Sequence, residues 1–572
     1  MINYSSYLYS TSHLLRVMII PVLGYRTNNT IFTVLTITLA GLLLMVITDV
    51  VPGNVSASTS SSANSTLTPD QLAAGGPLPG NLSLIESEQE CIKSLQNETT
   101  WAPWYPTMAS TEHGGSERAA VFECARFTGS FTEPNQVYAY QSPTSLGGVP
   151  SWIVTREPNE LFVSGGGASH ALPGPFISKM ETGSLREVWH SPLSNNNITG
   201  NWLISGAMNF PADGTIAVSQ GQYLYKVNAS AGAVEKVVSL PTGINPPGDS
   251  NYDGMSAFSD GTLVLKTQNR VAGCTNQGYN FIFCANQSQA APSVVAAVDP
   301  HTYEMLDWEQ LPEMIGGRNT VTQFQGHDYL YLFGTANAFR YEWNGQNLTL
   351  DTNWGPVPYL LPGQTLATAP AVMGDWVIGL ANGGGPSNVS LSVVAISQAD
   401  PSKIVRINPI PLEPGQKSYI PSMMSVDFPN NRIYAMDYLA GKQVAVDFTQ
   451  DGNMSVAWGP VDQRTISFFT LIGPPDQRVV ISTNINPNAT QQQIEQGAEA
   501  TATYTEQIIW RDADTGKILA ESDFFPAMSP GILVTPGYGG LIYEMLYDGH
   551  IMALQVAPAL TNTGNTTSIE SG

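Results

Sequence analysis

Eight polar residues combine carboxylate, amide, phenol and guanidinium groups, and each lies in or beside a stretch that predicts a β-strand. If such strands converge, the set could bind a small polar ligand, or a divalent cation through its carboxylates. The structural alternative is that Asx residues cap turns and an arginine pairs with a buried carboxylate. The candidate ligand-binding residues are Asn251, Tyr252, Asp253, Arg318, Asn319, Gln323, Asp427 and Glu544.

No recognisable catalytic or metal-binding motif accompanies these residues. The seven histidines show neither His-x-His nor His-Glu-x-x-His spacing, and no Gly-x-Ser-x-Gly motif occurs. The turn that starts at Asp512 begins like a calcium loop, but its twelfth position is Asp523 rather than glutamate. We therefore assign no catalytic residue and no metal ligand, and the sequence leaves open whether the protein is an enzyme.

Four cysteines are present, and none forms a Cys-x-x-Cys pair, which argues against a zinc site. An even number of cysteines in an exported chain favours two disulfides. Proximity along the chain favours Cys91–Cys124 and Cys274–Cys284, although four cysteines allow three pairings.

A repeated β-hairpin is the element that must position the polar residues. Its best copy, residues 508–520, is an apolar strand, an Asp-x-Asp-Thr-Gly turn and a second strand. Degenerate copies cover residues 176–189, 224–238 and 295–308. A hairpin that recurs every 40 to 65 residues or so predicts stacked sheets, most simply the blades of a β-propeller.

Eight cycles of strands follow one another from Pro150, the second beginning at Ile204, and they predict an all-β, eight-bladed propeller. The eighth cycle offers three strands, which would leave an unpaired edge. Residues 136–140 (QVYAY) precede the first blade and are predicted to supply the missing outer strand. Seven blades are the alternative, if one cycle is an insertion.

Four tryptophans fall at comparable places in the predicted outer strands: Trp189, Trp308, Trp354 and Trp458. Together with the turn Asp512-Ala-Asp-Thr-Gly-Lys517, this pattern resembles the repeat of quinoprotein-type (PQQ-like) β-propellers, whose tryptophans dock neighbouring blades. The resemblance implies pyrroloquinoline quinone or calcium as possible cofactors. The adjacent cysteines of quinoprotein dehydrogenases are missing, so we assign no cofactor.

Residues 31–51 form an apolar stretch long enough to cross a bilayer. Arg16 and Arg26 precede it, and no basic residue follows before Lys93, which predicts a cytoplasmic N-terminus and a single-pass membrane protein. The stretch reads as an uncleaved signal anchor, with cleavage near Val55-Ser-Ala57 as the alternative. The predicted regions are a cytoplasmic segment 1–30, an anchor 31–51, a Ser/Thr/Asn-rich linker 52–80, a disulfide-linked lead-in 81–134 with a helix over 82–95, the propeller 135–557 and a flexible tail 558–572.

Asn-x-Ser/Thr sequons are frequent beyond the apolar stretch, which favours exposure to glycosylation machinery over chance. The predicted glycosylation sites are Asn97, Asn197, Asn228, Asn286, Asn347, Asn388, Asn453 and Asn488.

A formal net charge of −23 argues against nucleic acid as a partner. The favoured function is a binding or scaffold module at the cell surface, outside the cytoplasm, with a protein or glycan partner. The alternative is a propeller enzyme of the quinoprotein, sulfotransferase or lactonase kind, with its site at the central entrance.

Overall fold

Eight four-stranded antiparallel units make up most of the described chain. The computed structural model describes residues 76–98, 103–166, 168–169, 174–193, 201–202, 206–271, 290–498, 502–528 and 533–559. Within them, each unit is one blade of a propeller, and its first strand faces the central channel.

The first four blades follow the chain in order, and the strands of each blade run from the channel outward. Blade 1 comprises Pro150–Thr155, Glu160–Gly165, Phe176–Glu181 and Glu187–Pro192. Blade 2 comprises Met208–Asn209, Ile216–Gln220, Tyr223–Val227 and Val234–Ser239. Blade 3 comprises Ser250–Ala257, Leu263–Asn269, Val294–Val298 and Met305–Gln310. Blade 4 comprises Thr320–Phe324, His327–Phe333, Asn337–Trp343 and Leu348–Leu350, with Val357–Pro358 also paired to its third strand.

The remaining blades repeat the same order. Blade 5 comprises Ala371–Met373, Trp376–Leu380, Val393–Ser397 and Ile404–Ile407. Blade 6 comprises Ser425–Asp427, Arg432–Asp437, Lys442–Phe448 and Met454–Asp462. Blade 7 comprises Thr470–Ile472, Val479–Ile485, Thr505–Asp512 and Ile518–Glu521, with Phe525–Pro526 beside its third strand. Blade 8 comprises Thr535–Pro536, Leu541–Met545, Ile551–Pro558 and Asn135–Gln141.

Short elements complete the described chain. Helix α1 is Leu82–Glu98, and helix α2 is Gln491–Ala498, inserted between two strands of blade 7. Val121–Phe122 pairs in parallel with the first strand of blade 7, and Ala168–Ser169 pairs with Asn201–Trp202. Three 3-10 turns cover Pro247–Asp249, Pro475–Gln477 and Tyr538–Gly540.

Burial explains why the inner strands have apolar runs rather than alternation. The strand Leu263–Asn269 is buried at every position, because neighbouring blades cover both of its faces. The outer strand Glu187–Pro192 has no fully buried residue and carries charged and polar side chains. Neighbouring blades therefore pack their buried side chains together in shared clusters, such as those between blades 2 and 3 and between blades 4 and 5, and only the rim meets solvent broadly.

The ring closes as the sequence predicts. Asn135–Gln141 pairs antiparallel with Ile551–Pro558, in a register that sets Val137 opposite Val556. The two ends of the propeller are thus joined in one sheet, and the prediction of eight blades is confirmed.

Residues 104–124 of the predicted lead-in run around the inside of the channel. From here on, the name lead-in refers to these residues alone. Their carbonyls accept backbone hydrogen bonds from six inner strands in sequence order, at 2.8 to 3.1 Å; the acceptors are Ala109, Ser110, Ser116, Glu117, Ala119 and Ala120. Blade 3 is held by the Ser116 side chain instead. The Ser116 hydroxyl donates to the Ala257 carbonyl and accepts from the Ala257 N–H, both at 3.0 Å. Arg118 and Ala120 adopt positive φ angles of 57° and 55° to follow this tight course.

The lead-in is fixed to α1 by the disulfide Cys91–Cys124, which confirms the first predicted pairing. Helix α1 itself confirms the predicted helix, and it extends three residues further. The second predicted pair, Cys274 and Cys284, lies outside the described residues.

Three of the four predicted docking tryptophans contact the next blade. Trp354 Nε1 donates to the Ser397 carbonyl at 3.0 Å, and Trp458 Nε1 donates to the Ala513 carbonyl at 2.9 Å. Trp189 lies against Gly232, where a Cβ would come within 2.7 Å of its ring. Trp308 is 45 % exposed, so for this residue the docking prediction is wrong.

The first strand of blade 2 is described over Met208–Asn209, and the predicted start of this cycle at Ile204 lies outside the described residues.

Among the described residues, no helix is both long enough and apolar enough to cross a membrane. The apolar stretch 31–51 lies outside those residues, as does most of the predicted tail.

Candidate functional site

A chain of ion pairs at the centre of the channel joins the propeller to the lead-in. Arg318 Nη2 lies 2.8 Å from Asp253 Oδ1, and Arg318 Nε lies 3.2 Å from Glu112 Oε2. Glu112 Oε1 lies 2.7 Å from Arg118 Nη2. All four residues are buried. The structure thus brings together the predicted residues Asp253 and Arg318, and adds two lead-in residues that the sequence did not indicate.

A β-bulge in the inner strand of blade 3 presents Asp253 to the channel. Strand register shifts between Tyr252 and Met255, and Gly254 within the bulge has a φ of 95°. A Cβ at Gly254 would lie 3.0 Å from the Arg318 Cβ and 2.9 Å from Asn319 Oδ1. The bulge and this close approach of the two segments set the carboxylate against the guanidinium.

Aromatic rings enclose the cluster. The Arg318 guanidinium carbon lies 4.4 Å from the ring centroid of Trp152 and 5.6 Å from that of Phe468. The His113 ring meets Phe468 edge-on, with the centroids 5.2 Å apart. Cation–π contacts of this kind stabilise a desolvated guanidinium and hold it in one orientation.

His113 lies in this cluster as a neutral ring. Complete burial, followed by the nearby Arg118 and Arg318 charges, holds its pKa well below the usual range, while the Met424 backbone acts in the opposite direction. Neither ring nitrogen makes a hydrogen bond that meets normal geometry among the described residues. A neutral imidazole avoids adding a further positive charge beside two arginines.

Lys266 is a buried cation that the sequence analysis missed. Burial lowers its pKa to about 8, Arg318 and Arg118 act in the same direction, and Asp253 and Glu112 oppose them. Its Nζ donates to the Ile315 carbonyl at 3.4 Å, and no carboxylate of the described residues lies within 4.0 Å. The signal in the sequence is a lysine that follows the apolar run Leu263-Val-Leu265.

A small recess of about 40 Å³ adjoins the cluster, and the lead-in contributes none of its wall. We call it the central recess. It is lined by Asp253, Gln268, Gly316, Gly317, Arg318, Leu366, Ala367, Thr368, Ala369, Gly383, Tyr419, Pro421, Met423 and Phe468. A cavity of this volume holds a few water molecules.

A quinone cofactor does not fit the central recess. Small-molecule sites usually occupy about 300 Å³ or more, several times the volume of the central recess. The lead-in occupies the neighbouring part of the channel, and its Glu112 and Arg118 are held in ion pairs. The described residues also contain no group of three His, Cys, Asp or Glu side chains placed to hold a metal ion.

The other predicted site residues do not join the cluster as ligand groups. Asn251 accepts a hydrogen bond from the Gly221 N–H, and the Tyr252 hydroxyl donates to the Pro241 carbonyl at 2.6 Å. Asn319 donates to the Val264 carbonyl, and its own carbonyl accepts from Arg118 Nε. Gln323 is exposed towards the far end of its strand. These contacts fit the structural alternative for each buried residue.

Asp427 and Glu544 belong to two other buried groups. Asp427 pairs with Arg478 at 3.1 Å, and Arg478 also binds Glu123 at 2.8 Å. Glu544 has no cationic partner in the described chain. Burial, and then the nearby Glu506 carboxyl, raise its pKa well above the usual range. Burial likewise raises the pKa of Glu506 to about 7.

A larger cavity of about 330 Å³ lies between α1 and the lead-in. We call it the lead-in cavity. Most of its wall is apolar, with Glu123 and several hydroxyls among the lining groups; the lining residues are Ile92, Leu95, Pro103, Trp104, Tyr105, Pro106, Thr107, Met108, Ser110, Thr111, Gly114, Gly115, Ser116, Val121, Phe122, Glu123 and Cys124. The sequence did not indicate it, because the lining comes from segments without strand or helix periodicity.

The predicted glycosylation sites fall into three groups. Asn347, Asn388, Asn453 and Asn488 are exposed, and Asn228 is half-buried. The side-chain amides of Asn228 and Asn453 donate to Glu235 and Asp451. Asn197 and Asn286 lie outside the described residues, and for Asn97 only the backbone, within α1, is described.

Comparisons with known proteins find similarity in structure and not in sequence. No protein-family model and no curated protein sequence matches the chain. BamB from Moraxella catarrhalis aligns at 9 % identity and a TM-score of 0.42, over 72 % of this chain and 99 % of that one. Quinohemoprotein alcohol dehydrogenase ADHIIG from Pseudomonas putida HK5 aligns at 10 % identity and 0.49, over 84 % and 82 %. The quinohemoprotein alcohol dehydrogenase of Comamonas testosteroni aligns at 11 % and 0.45, over 86 % of both chains.

These neighbours are β-propellers, in keeping with the resemblance of this chain to PQQ-like propellers. At such identities and TM-scores the alignments carry no argument about activity. The fold assignment rests on the strand pairing of the eight blades.

Proposed function

We propose that this chain is a non-catalytic binding module, held on the outer side of a membrane by residues 31–51. The observation that carries the proposal is the lead-in, which occupies the channel where a propeller enzyme would hold its substrate. Its carbonyls are bonded to inner strands, and its Glu112 and Arg118 side chains form ion pairs. The central recess beside it has a volume of only about 40 Å³.

The lead-in cavity is the better place for a ligand. Its volume of about 330 Å³ lies at the lower end of the range typical of small-molecule sites, and apolar side chains form most of its wall. We propose that it binds an apolar group, and that the hydroxyls and Glu123 orient that group. The Trp104 indole, whose Nε1 donates to Ser116 Oγ at 3.0 Å, provides a fluorescent reporter in the wall.

The dye 1-anilinonaphthalene-8-sulfonate, an anion whose apolar aromatic rings enter hydrophobic cavities, tests this placement. We expect it to quench tryptophan fluorescence in the wild type, and Leu95→Gln to weaken dye binding at least several-fold, since Leu95 lines the cavity. Leu82→Gln, on the exposed side of the same helix, is the matched control and should bind the dye as the wild type does. Equal binding by all three proteins would place the ligand elsewhere.

The alternative is a propeller enzyme that uses the central recess, and the observation in its favour is the Asp253–Arg318 pair at the recess wall. An ultraviolet–visible spectrum and metal analysis of the purified full chain separate the two functions. We expect no quinone absorbance and less than stoichiometric calcium. A bound quinone, or one calcium per chain, would establish the enzyme alternative.

Export and glycosylation belong to the same proposal. Asn347, Asn388 and Asn488 are exposed, whereas the amide of the exposed Asn453 is held by a hydrogen bond to Asp451, so the first three sequons are the ones we expect to carry glycans. Glycopeptide mass analysis of protein from the native membrane tests this expectation. Unmodified peptides at all three positions would argue against passage through glycosylation machinery.

A further inference from the structure

The buried cluster at the channel centre contains more positive than negative charge. Its carboxylates are Glu112 and Asp253, and its cations are Arg118, Arg318 and Lys266. His113 also faces these charges, and it is neutral. Among the described residues of the cluster, the cations exceed the carboxylates by one positive charge, in a place where unpaired charge is costly.

From this charge and the adjoining space, we propose that the central recess binds one small monovalent anion, of the size of a halide or formate. This inference stands apart from the proposed binding function, because it concerns a different cavity. The anion would complete the neutralisation of the cluster and fill the space beside it.

The position of Lys266 supports this assignment. Gln268 lies two residues further along the same strand, so the two side chains leave the same face of the sheet. Gln268 lines the central recess, and the Lys266 ammonium donates to the carbonyl of Ile315, which precedes the recess residue Gly316. The ammonium thus contacts the residue next to Gly316 of the recess wall, with no carboxylate of the described residues within 4.0 Å of it. The one carboxylate in the recess lining, that of Asp253, is paired with Arg318.

Hydrogen-bond donors complete the site. Thr368 is 9 % exposed and lines the recess, and its buried hydroxyl has no partner among the described residues. Arg118 Nη1, in the adjoining cluster, is also buried without a partner in the described part of the chain. Buried polar groups without a protein partner usually bind water or an ion.

Size and charge together limit the ligand class. A volume of about 40 Å³ suits a halide or formate better than a larger anion such as sulfate or phosphate. A divalent anion would also exceed the single surplus positive charge. Halide and formate present the same chemistry to the site, and two experiments distinguish them.

Crystals of the full chain grown in sodium bromide give the direct test. We expect one anomalous peak in the central recess, within hydrogen-bonding distance of the Thr368 hydroxyl. Water density without anomalous signal in the recess, or bromide found only at surface positions, would rule out a halide, and would overturn the proposal as a whole unless formate alone raises the Tm in the second test.

Thermal unfolding provides the second test, at constant ionic strength in sodium chloride, formate or gluconate. We expect chloride or formate to raise the Tm above its gluconate value by about 1–3 °C, because a ligand that binds only the folded state stabilises it. Lys266→Met should abolish this difference, while Lys403→Met, at an exposed lysine, should keep it. Formate alone having an effect would identify the ligand as a small carboxylate.

Thr368→Val is a second variant in case Lys266→Met does not fold. It keeps the shape and all charges of the cluster and removes one donor, so it should weaken the anion-dependent Tm difference. The same anion dependence in Lys266→Met as in the wild type, or in Thr368→Val when Lys266→Met does not fold, would contradict the proposed site.

Discussion

At the scale of single residues, the same polar side chains that suggest a ligand site hold the molecule together. Arg318 binds Asp253 and Glu112 and lies against Trp152, so four segments distant in sequence meet at one guanidinium. A buried ion pair contributes little compared with a well-packed apolar replacement, but the loss of one partner is expensive. The residues are therefore sensitive to mutation whether or not they bind a ligand.

Arg318→Ala should lower the free energy of unfolding by about 3–5 kcal/mol, since it leaves Asp253 unpaired and removes the packing on Trp152. Asp253→Ala should lower the free energy of unfolding by less, because Arg318 still forms its ion pair with Glu112. Urea denaturation of both single variants and the double variant measures the coupling, which we expect to be about 0.5–3 kcal/mol. Unchanged stability with loss of small-ligand binding would instead make the pair a functional site.

Glu506 gives a prediction about pH. Burial raises its pKa to about 7 from an ordinary 4.5, so the folded protein holds a proton that the unfolded chain releases. The associated stability is complete below about pH 4.5 and is lost as the pH rises through about 7. We expect the free energy of unfolding of the wild type, measured by urea denaturation, to be higher at pH 5 than at pH 8. Glu506→Gln should reduce this difference by up to about 3 kcal/mol.

The control for Glu506→Gln is Glu309→Gln, at an exposed glutamate on the outer strand of blade 3. It should leave the difference between pH 5 and pH 8 unchanged. If both variants behave as the wild type does, Glu506 does not lose a proton between pH 5 and pH 8 in the folded protein.

At the scale of elements, the turn glycines and the tryptophans act as pairs. Gly516 has a φ of 71°, and a Cβ there would come within 2.8 Å of the Trp458 ring of the preceding blade. Gly232 and Trp189 repeat the arrangement between blades 1 and 2. The glycine is required for two reasons, the left-handed backbone conformation and the ring that lies on it.

Trp458→Ala should destabilise the protein by about 3–5 kcal/mol, because a buried indole and its hydrogen bond to Ala513 are lost. Trp308→Ala should cost less than about 1 kcal/mol, since that ring is 45 % exposed. Urea denaturation compares them directly. Similar losses for both would mean that burial at the blade interface does not determine the contribution of these tryptophans.

The elements also show what the sequence could predict. The recurring hairpin, its glycine-containing turns and the incomplete eighth cycle are local patterns, and they predicted eight blades and the closing strand before Pro150 correctly. The course of the lead-in could not be predicted, because backbone carbonyls fix it and carry no residue signature. Glu112, Arg118 and Lys266 were missed for a related reason. Glu112 and Arg118 pair with each other, but their further contacts, with Arg318 and Asn319, come from a blade far away in sequence, and Lys266 likewise contacts the distant Ile315.

At the scale of the whole molecule, two segments near the start of the described chain bind the ring together. The lead-in bonds to inner strands from blade 1 to blade 7, and Asn135–Gln141 completes blade 8. No blade can separate without breaking one of these two contacts. We therefore expect the propeller to unfold in a single cooperative transition, despite its size.

Tyr138→Pro tests the closure, because proline removes a backbone donor and restricts φ in the middle of the closing strand. Tyr138→Ala is the matched control: it loses the same side chain from the core but keeps the backbone pairing with Ile551–Pro558. We expect the proline variant to melt at a clearly lower temperature than the alanine variant. It should also self-associate on size-exclusion chromatography, because Ile551–Pro558 becomes an open sheet edge. Equal melting of the two variants would show that side-chain packing, rather than strand pairing, closes the ring.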